Sequence, residues 1–162
     1  MANSTSASLK LTVQATGENS GTWGAITNTN LLILEQAIGG YDAFNVTNAS
    51  RALTFTNGAV SNGKNEVIKL TGTLAGNLNV TIPDSVEKTY TVENTCNHAG
   101  NTLTFKTTSG TGVLLCEGHS YNLWSDGTNV YKSSELKKWR AISSAETVQA
   151  GAQILVNTNG GA

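Results

Sequence analysis

The sequence predicts a mainly β protein: an N-terminal strand plus one apolar helix, then an antiparallel β-sandwich or barrel-like domain. Three observations carry that prediction. Small polar residues stand in for charge: of 162 residues, 23 are Thr, 18 Asn, 14 Ser and 17 Gly, and only 13% are charged, about half the usual share. Hydrophobicity alternates with a period of two from Tyr41 to Ser134, the mark of half-buried strands. Asn-Gly and Asp-Gly pairs interrupt the alternation and supply the positive φ that hairpin turns need.

Residues 8–14 alternate, with Leu9, Leu11 and Val13 on one face, and are expected to form the first strand. TGENSG at 16–21 is a loop. Thr22 to Ile38 is the one convincing helix. Trp23, Ile26, Ile33, Leu34, Ala37 and Ile38 fall near helical spacing, Thr22 or Ser20 can cap the start, and Gly39-Gly40 ends it. Leu31, Leu32, Ile33 and Leu34 make this helix apolar all round, and Glu35 is its only charge. Such a helix must be covered on more than one side, so a neighbouring copy or a partner protein is the natural cover.

Nine strands are expected next, at 43–47, 51–56, 65–71, 77–82, 88–93, 102–107, 112–116, 120–124 and 129–133, with turns at 56–58, 61–65, 108–112 and 125–129. LTFTNGAV at 53–60 echoes LTFKTTSGTGV at 103–113, too briefly to define a repeat. SSELKKWR at 133–140 reads as a polar connector. ETVQAGAQILVNTNGGA at 146–162 reads as a strand entering a turn, which either pairs with a neighbour or, as preferred, opens a further β module of a longer protein.

Composition excludes several classes. Ten Lys and Arg against eleven Asp and Glu give a net charge of −1, without the basic excess of a nucleic-acid binder. No apolar run approaches a membrane span, and MANSTSASLK lacks the pattern of a signal peptide. The carboxylates are scattered singly, so no pair suggests glycoside hydrolysis. No nucleophile elbow or phosphate loop is present. The chain is therefore expected not to be an enzyme.

One constellation bears on metal chemistry: Cys96 and His98 with Cys116 and His119. Two thiols and two imidazoles can form a tetrahedral zinc site, and a hairpin between 102–107 and 112–116 would bring the two loops together. The spacing matches no standard finger. The bland alternative, with Cys116 in the core behind Leu114 and both histidines in solvated turns, is preferred. No metal and no cofactor is expected. Trp124 and Trp139 are candidates for stacking on a sugar or base. Alternation is read as turning Trp124 inward with Asn122, and Trp139 as a solvated edge residue. Trp23 is either a docking residue or a core tryptophan holding strand 8–14 to the helix.

Gly17, Asn19, Gly21, Trp23, Gly24, Asn28, Asn30, Leu31 to Leu34, Ala37, Gly39 and Gly40 make up a segment that resembles the N-terminal motif of bacteriophage tail-fibre and related tail proteins. LTFTNG, VIKLTG, VTIPDS, TFKTTSGTGV and SDGTNVY look like the β region of fibres from marine, especially cyanobacterial, phages. The resemblance implies a homotrimeric, intertwined virion protein assembled in the host bacterial cytoplasm and located in the tail. It further implies docking on a phage tail protein (adaptor or nozzle) through residues 1–40, a β domain over 41–134, and a linker over 135–162 leading to a distal region that meets the bacterial surface. Trp23, Ile26, Leu31, Leu32, Ile33, Leu34 and Ile38 are the expected docking residues. No nucleic acid and no membrane insertion is implied. A capsid decoration protein and, from another class, a polysaccharide depolymerase tailspike fragment are the alternatives.

Overall fold

The computed structural model describes residues 2–136, 140–141 and 154–155. Two short strands, β1 (Ser4–Thr5) and β2 (Thr12–Val13), pair antiparallel and lead to helix α1 (Trp23–Gly39). The chain then enters a β body made of β3 (Tyr41–Asn45), β4 (Arg51–Ala52), β5 (Val67–Thr71), β6 (Leu78–Ile82), β7 (Glu87–Asn94), β8 (Leu103–Thr107), β9 (Gly112–Leu115), β10 (Ser120–Asp126) and β11 (Val130–Leu136). All nine lie where alternation placed strands, though β4 is much shorter than expected. Beyond them, β12 (Arg140–Ala141) and β13 (Ile154–Leu155) form a parallel pair. The expectations for Trp139 and for most of 146–162 fall outside the described residues.

The pairing departs from the expected antiparallel sandwich. One sheet has the order β11-β10-β7-β5-β3 and the other β4-β6-β8-β9. The chain alternates between them, so β3, β5 and β7 are parallel in the first and β4, β6 and β8 parallel in the second. Three rungs of a short two-sided solenoid result, and neither sheet closes into a barrel. Tyr41, Val67 and Thr91 share one register, a step of ~25 residues per rung, within the range of solenoid repeats. Only the last strands turn back: β9 on β8, β10 on β7 and β11 on β10.

The reason lies in the turns. Ser109-Gly110 and Asp126-Gly127 do close hairpins. The Asp126 carboxylate accepts the backbone N–H of Thr128 and of Asn129, at 2.8 and 2.7 Å. Asn57-Gly58 and Asn62-Gly63 instead sit in the long crossover from β4 to β5. There the Asn62 side-chain oxygen takes the N–H of Thr54 at 2.6 Å and its hydroxyl at 2.9 Å. Asn-Gly supplies a bend in either setting, and only the partner strand decides whether it makes a hairpin.

Inward residues of both sheets form one core. Ile68, Val92 and Tyr121 share a register, as do Tyr90 and Leu123, and in the facing sheet Val80 and Phe105. The register Phe44–Leu70–Asn94 ends on a polar residue at the last rung. The echo noted at 53–60 and 103–113 is not a rung equivalence: Leu103 pairs with Leu78, whereas the N–H of Leu53 bonds to the Thr81 carbonyl.

The first expected strand is mostly turn. Lys10 has φ 57, Ser6 and Leu11 bond to each other across a short loop, and Val13 faces solvent. A left-handed residue inside 8–14 destroys the alternation of faces.

Candidate functional site

Residues 17–40 owe their motif to local geometry. Gly17, Asn19 and Gly21 all have positive φ, 81, 64 and 81, a region that glycine and asparagine tolerate best. The Asn19 carbonyl then accepts the N–H groups of Thr22 and Trp23 and starts α1. Thr22 caps by position alone, since its hydroxyl donates back to Asn19 O at 3.2 Å. Asn30 does not merely interrupt the apolar stripe. Its amide accepts the Thr12 N–H at 2.9 Å and donates to the Thr12 carbonyl at 2.8 Å, as a neighbouring strand would. At the far end Gly40 lies against the Gln36 carbonyl and the Asn65 side chain, where a Cβ has no room.

α1 has two faces. Ile26, Asn30, Ile33 and Ala37 follow helical spacing and turn toward the chain, with Ile33 fully buried and the others half-buried. Gln36 ties this side down, donating to Asn65 Oδ1 at 3.1 Å and accepting the Ser61 N–H at 3.2 Å. Trp23, Leu31, Leu34 and Ile38 lie on another face, 65%, 58%, 37% and 78% exposed. Their steps of eight, three and four, with Thr27 between the first two, keep them on one stripe. Leu32 is exposed on a different side.

Two expectations change. Trp23 is not the core tryptophan of the alternative reading. Ile33 belongs to the chain's own interior and is unavailable to a partner; Ile26 is half-covered as well. A run of four apolar residues cannot all face one way on a helix, and here Ile33 alone points inward.

The Cys96–His98 and Cys116–His119 loops do meet, and Asn94 joins them. Its amide nitrogen donates to the Cys116 carbonyl at 2.9 Å and lies 2.9 Å from His98 Nε2, while its oxygen accepts the Cys96 N–H at 3.1 Å. The Glu117 carboxylate accepts the His98 N–H at 2.9 Å, and His119 Nδ1 lies 2.8 Å from the Glu117 carbonyl. No three His, Cys, Asp or Glu side chains converge on one point among the described residues. The details correct the bland reading too. Leu114 faces outward, Cys96 is the thiol in the core, Cys116 is half-buried, and His98 is buried. Burial pushes the Cys96 thiol up and the His98 imidazole down from their ordinary pKa values.

Lys64 escaped sequence reading entirely. It is fully buried, and its ammonium donates to the Thr56 carbonyl at 2.7 Å and the Ala59 carbonyl at 2.6 Å. Desolvation, then the charge of Lys10, lowers its pKa. It holds the crossover loop shut around itself. A single Lys in SNGKN carries no signal of this.

Trp124 is also turned the other way from expectation. Tyr121, Leu123 and Ser125 are the inward residues of β10, so Asn122 and Trp124 face out. Trp124 stacks on its cross-strand neighbour Tyr131, ring centroids 4.6 Å apart. Beside them a shallow depression of about 320 Å³ is lined by Glu66, Thr89, Thr91, Asn122 and Ser133, with Tyr90 and Leu123 beneath.

Comparison with known proteins returned no matching family model, no matching curated protein and no matching solved structure.

Proposed function

We propose that this chain is a structural, non-catalytic part of a virion appendage, a homotrimeric tail fibre whose segment 1–40 mediates assembly and docking. The observation that carries the reading is the stripe Trp23, Leu31, Leu34 and Ile38. These large apolar side chains lie exposed on a helix whose inner face already has its cover. The body has its own core, to which α1 contributes no member, so the helix is free to serve an interface. Leu31, Leu34 and Ile38 step by three and four, the spacing of a coiled-coil seam. Burying each large side chain contributes roughly 1.5–3 kcal/mol, and aromatic anchors such as Trp23 dominate interfaces of this type. The tail partner and the distal contact with the bacterial surface rest on the resemblance of residues 17–40 and of the β region to phage fibres.

Light scattering of the chain should give three times 16.9 kDa. The double variant Leu31→Ser, Ile38→Ser should be monomeric with an unchanged melting temperature. A wild-type chain that stays monomeric at every concentration overturns the assembly role, and a variant that melts much earlier makes the stripe part of the fold.

A further inference from the structure

We propose that the outer face of the five-stranded sheet is a glycan-binding surface, where a neutral oligosaccharide lies against Trp124 and reaches the polar depression beside it. The site is built across three strands. Tyr131, Trp124 and Thr89 form one cross-strand row, and Asn122 and Thr91 lie in the next. Tyr131 props one face of the indole. On the other side its cross-strand neighbour is Thr89, a small exposed residue that also lines the depression. Trp124 and Tyr131 are 40% and 39% exposed, a large apolar surface for the solvent side of a sheet.

The second row supplies what hydroxyls need. Asn122, Thr91 and Ser133 bring amide and hydroxyl groups, and Glu66 brings a carboxylate. The strand pairing helps here: the register of β10 with β11 slips between Asn122 and Leu123. This bulge leaves Ser133 without a direct partner, and its hydroxyl bonds to the Asn122 carbonyl at 2.9 Å, at the rim of the depression. Bulges re-aim side chains in this manner next to binding sites.

A pyranose has an apolar C–H face and a rim of hydroxyls, and this surface has an aromatic plane and a rim of donors and acceptors. Ligands of other chemistry fit less well. A nucleic acid can stack on Trp124, but its phosphates would meet a face whose lysines already carry partners. On this face Lys69 pairs with Glu93 at 3.5 Å, and Lys88, nearly buried on the inward side of β7, bonds to Glu66 at 2.9 Å. Asp126 lies beside the pair and accepts the Tyr131 hydroxyl at 3.2 Å. A peptide anchor needs a deep apolar pocket, whereas this depression is shallow and half polar.

The test is a titration of the isotope-labelled full chain with maltohexaose, cellohexaose, laminarihexaose and chitohexaose, followed by nuclear magnetic resonance. At least one should shift the Trp124 indole N–H and the amides of Thr89 and Asn122 saturably, leaving the Trp23 indole in place. A dissociation constant in the millimolar range is expected, as for single shallow sites. Trp124→Ala should weaken binding at least tenfold, and Thr89→Arg, at an exposed position, should do the same by filling the space beside the indole. No shift at Trp124 with any of the four sugars at about 10 mM, well above a millimolar constant, overturns the proposal. So does a stronger, salt-dependent response to single-stranded oligo(dT), which would make the surface a nucleic-acid platform. The wild-type shift map decides even where a variant fails to fold.

Discussion

Replacing Asn94 with alanine removes one buried amide on which three groups depend. The Cys96 N–H, the Cys116 carbonyl and His98 Nε2 each lose their partner. An unsatisfied buried polar group costs about 1–3 kcal/mol. Cys116 is half-buried, so water reaches its carbonyl, and a total of about 2–4 kcal/mol is expected. For a chain of this size that lowers the melting temperature by about 5–15 °C, read by circular dichroism. A drop below about 2 °C, inside the scatter of surface substitutions, refutes the assignment of Asn94 as the tie between the loops.

The same contact sets a pH dependence. The Asn94 nitrogen can only donate, so His98 Nε2 must accept, and the imidazole is held neutral. Burial lowers the His98 pKa, while the Glu117 carboxylate and the Asn101 carbonyl oppose that fall without reversing it. In the unfolded chain the pKa is about 6.5. Above that value both states are neutral and the contribution is complete. As pH falls below it the unfolded chain takes up the proton first, and stability declines until the folded pKa is passed. Asn94→Asp reverses the sign, because a carboxylate accepts from protonated Nε2 and raises the folded pKa. Melting temperatures between about pH 8 and 5 should therefore fall on acidification in the wild type and fall less, or rise, in Asn94→Asp. Parallel curves for the two proteins would sink the argument.

Two further outcomes are expected. Gly110→Ala should destabilise by about 1–3 kcal/mol, because the new Cβ runs into the Thr128 carbonyl, with Thr107 and Asn129 closing the other sides; an unchanged chemical melt excludes this close approach of the two hairpins. Asn30→Ala should loosen residues 2–16 by removing both bonds to Thr12, leaving the Gln14 to Thr27 bond at 3.2 Å to hold the segment to the helix through side chains. Limited proteolysis should then cut there first, with the β body intact, and a cleavage rate equal to the wild type contradicts that role.

Strand positions were legible and strand partners were not. Alternation at Val67–Thr71 or Leu103–Thr107 marks which side chains face in, because the period of two belongs to the strand itself. It says nothing of whether the neighbour is the next strand or the next but one. The rungs differ in length and share few residues: Leu70 stacks on Asn94 and Asp42 on Ile68. No internal repeat is therefore visible, although the backbone repeats. For the helix, spacing predicted its existence and its excess of apolar surface, but not that of Leu31 to Leu34 only Ile33 would turn inward. Lys64 was missed and Trp124 misjudged for a common reason. Lys64 is placed by a long crossover and Trp124 by the two-fold parity of β10, and a single sequence fixes neither.

The ends of the solenoid bear on the assembly proposed above. At the late end β9 and β11, paired antiparallel with β8 and β10, are the edge strands. At the early end β3 and β4 are edge strands. The bonds from Val67 N–H to the Gly40 carbonyl and from Val46 N–H to the Thr71 carbonyl fix the parity of β3. Asp42 and Phe44 face β5 with their backbone groups, and Tyr41, Ala43 and Asn45 present theirs to the open edge. That edge is blunted. The Asp42 carboxylate takes the Ala43 N–H at 2.8 Å, β4 is only two residues long, and the Arg51 guanidinium lies over the Phe44 ring at 5.4 Å. Short edges, and charges placed on them, discourage strand addition. Pairing of copies edge to edge is thus disfavoured where the sheets begin. Apolar surface open next to this end includes the stripe of α1 and, on β3 itself, Tyr41, and the chain passes directly from that helix into β3. Association through the helix would stack copies about the start of the body without extending either sheet, which accords with a closed oligomer rather than an open fibril of strands.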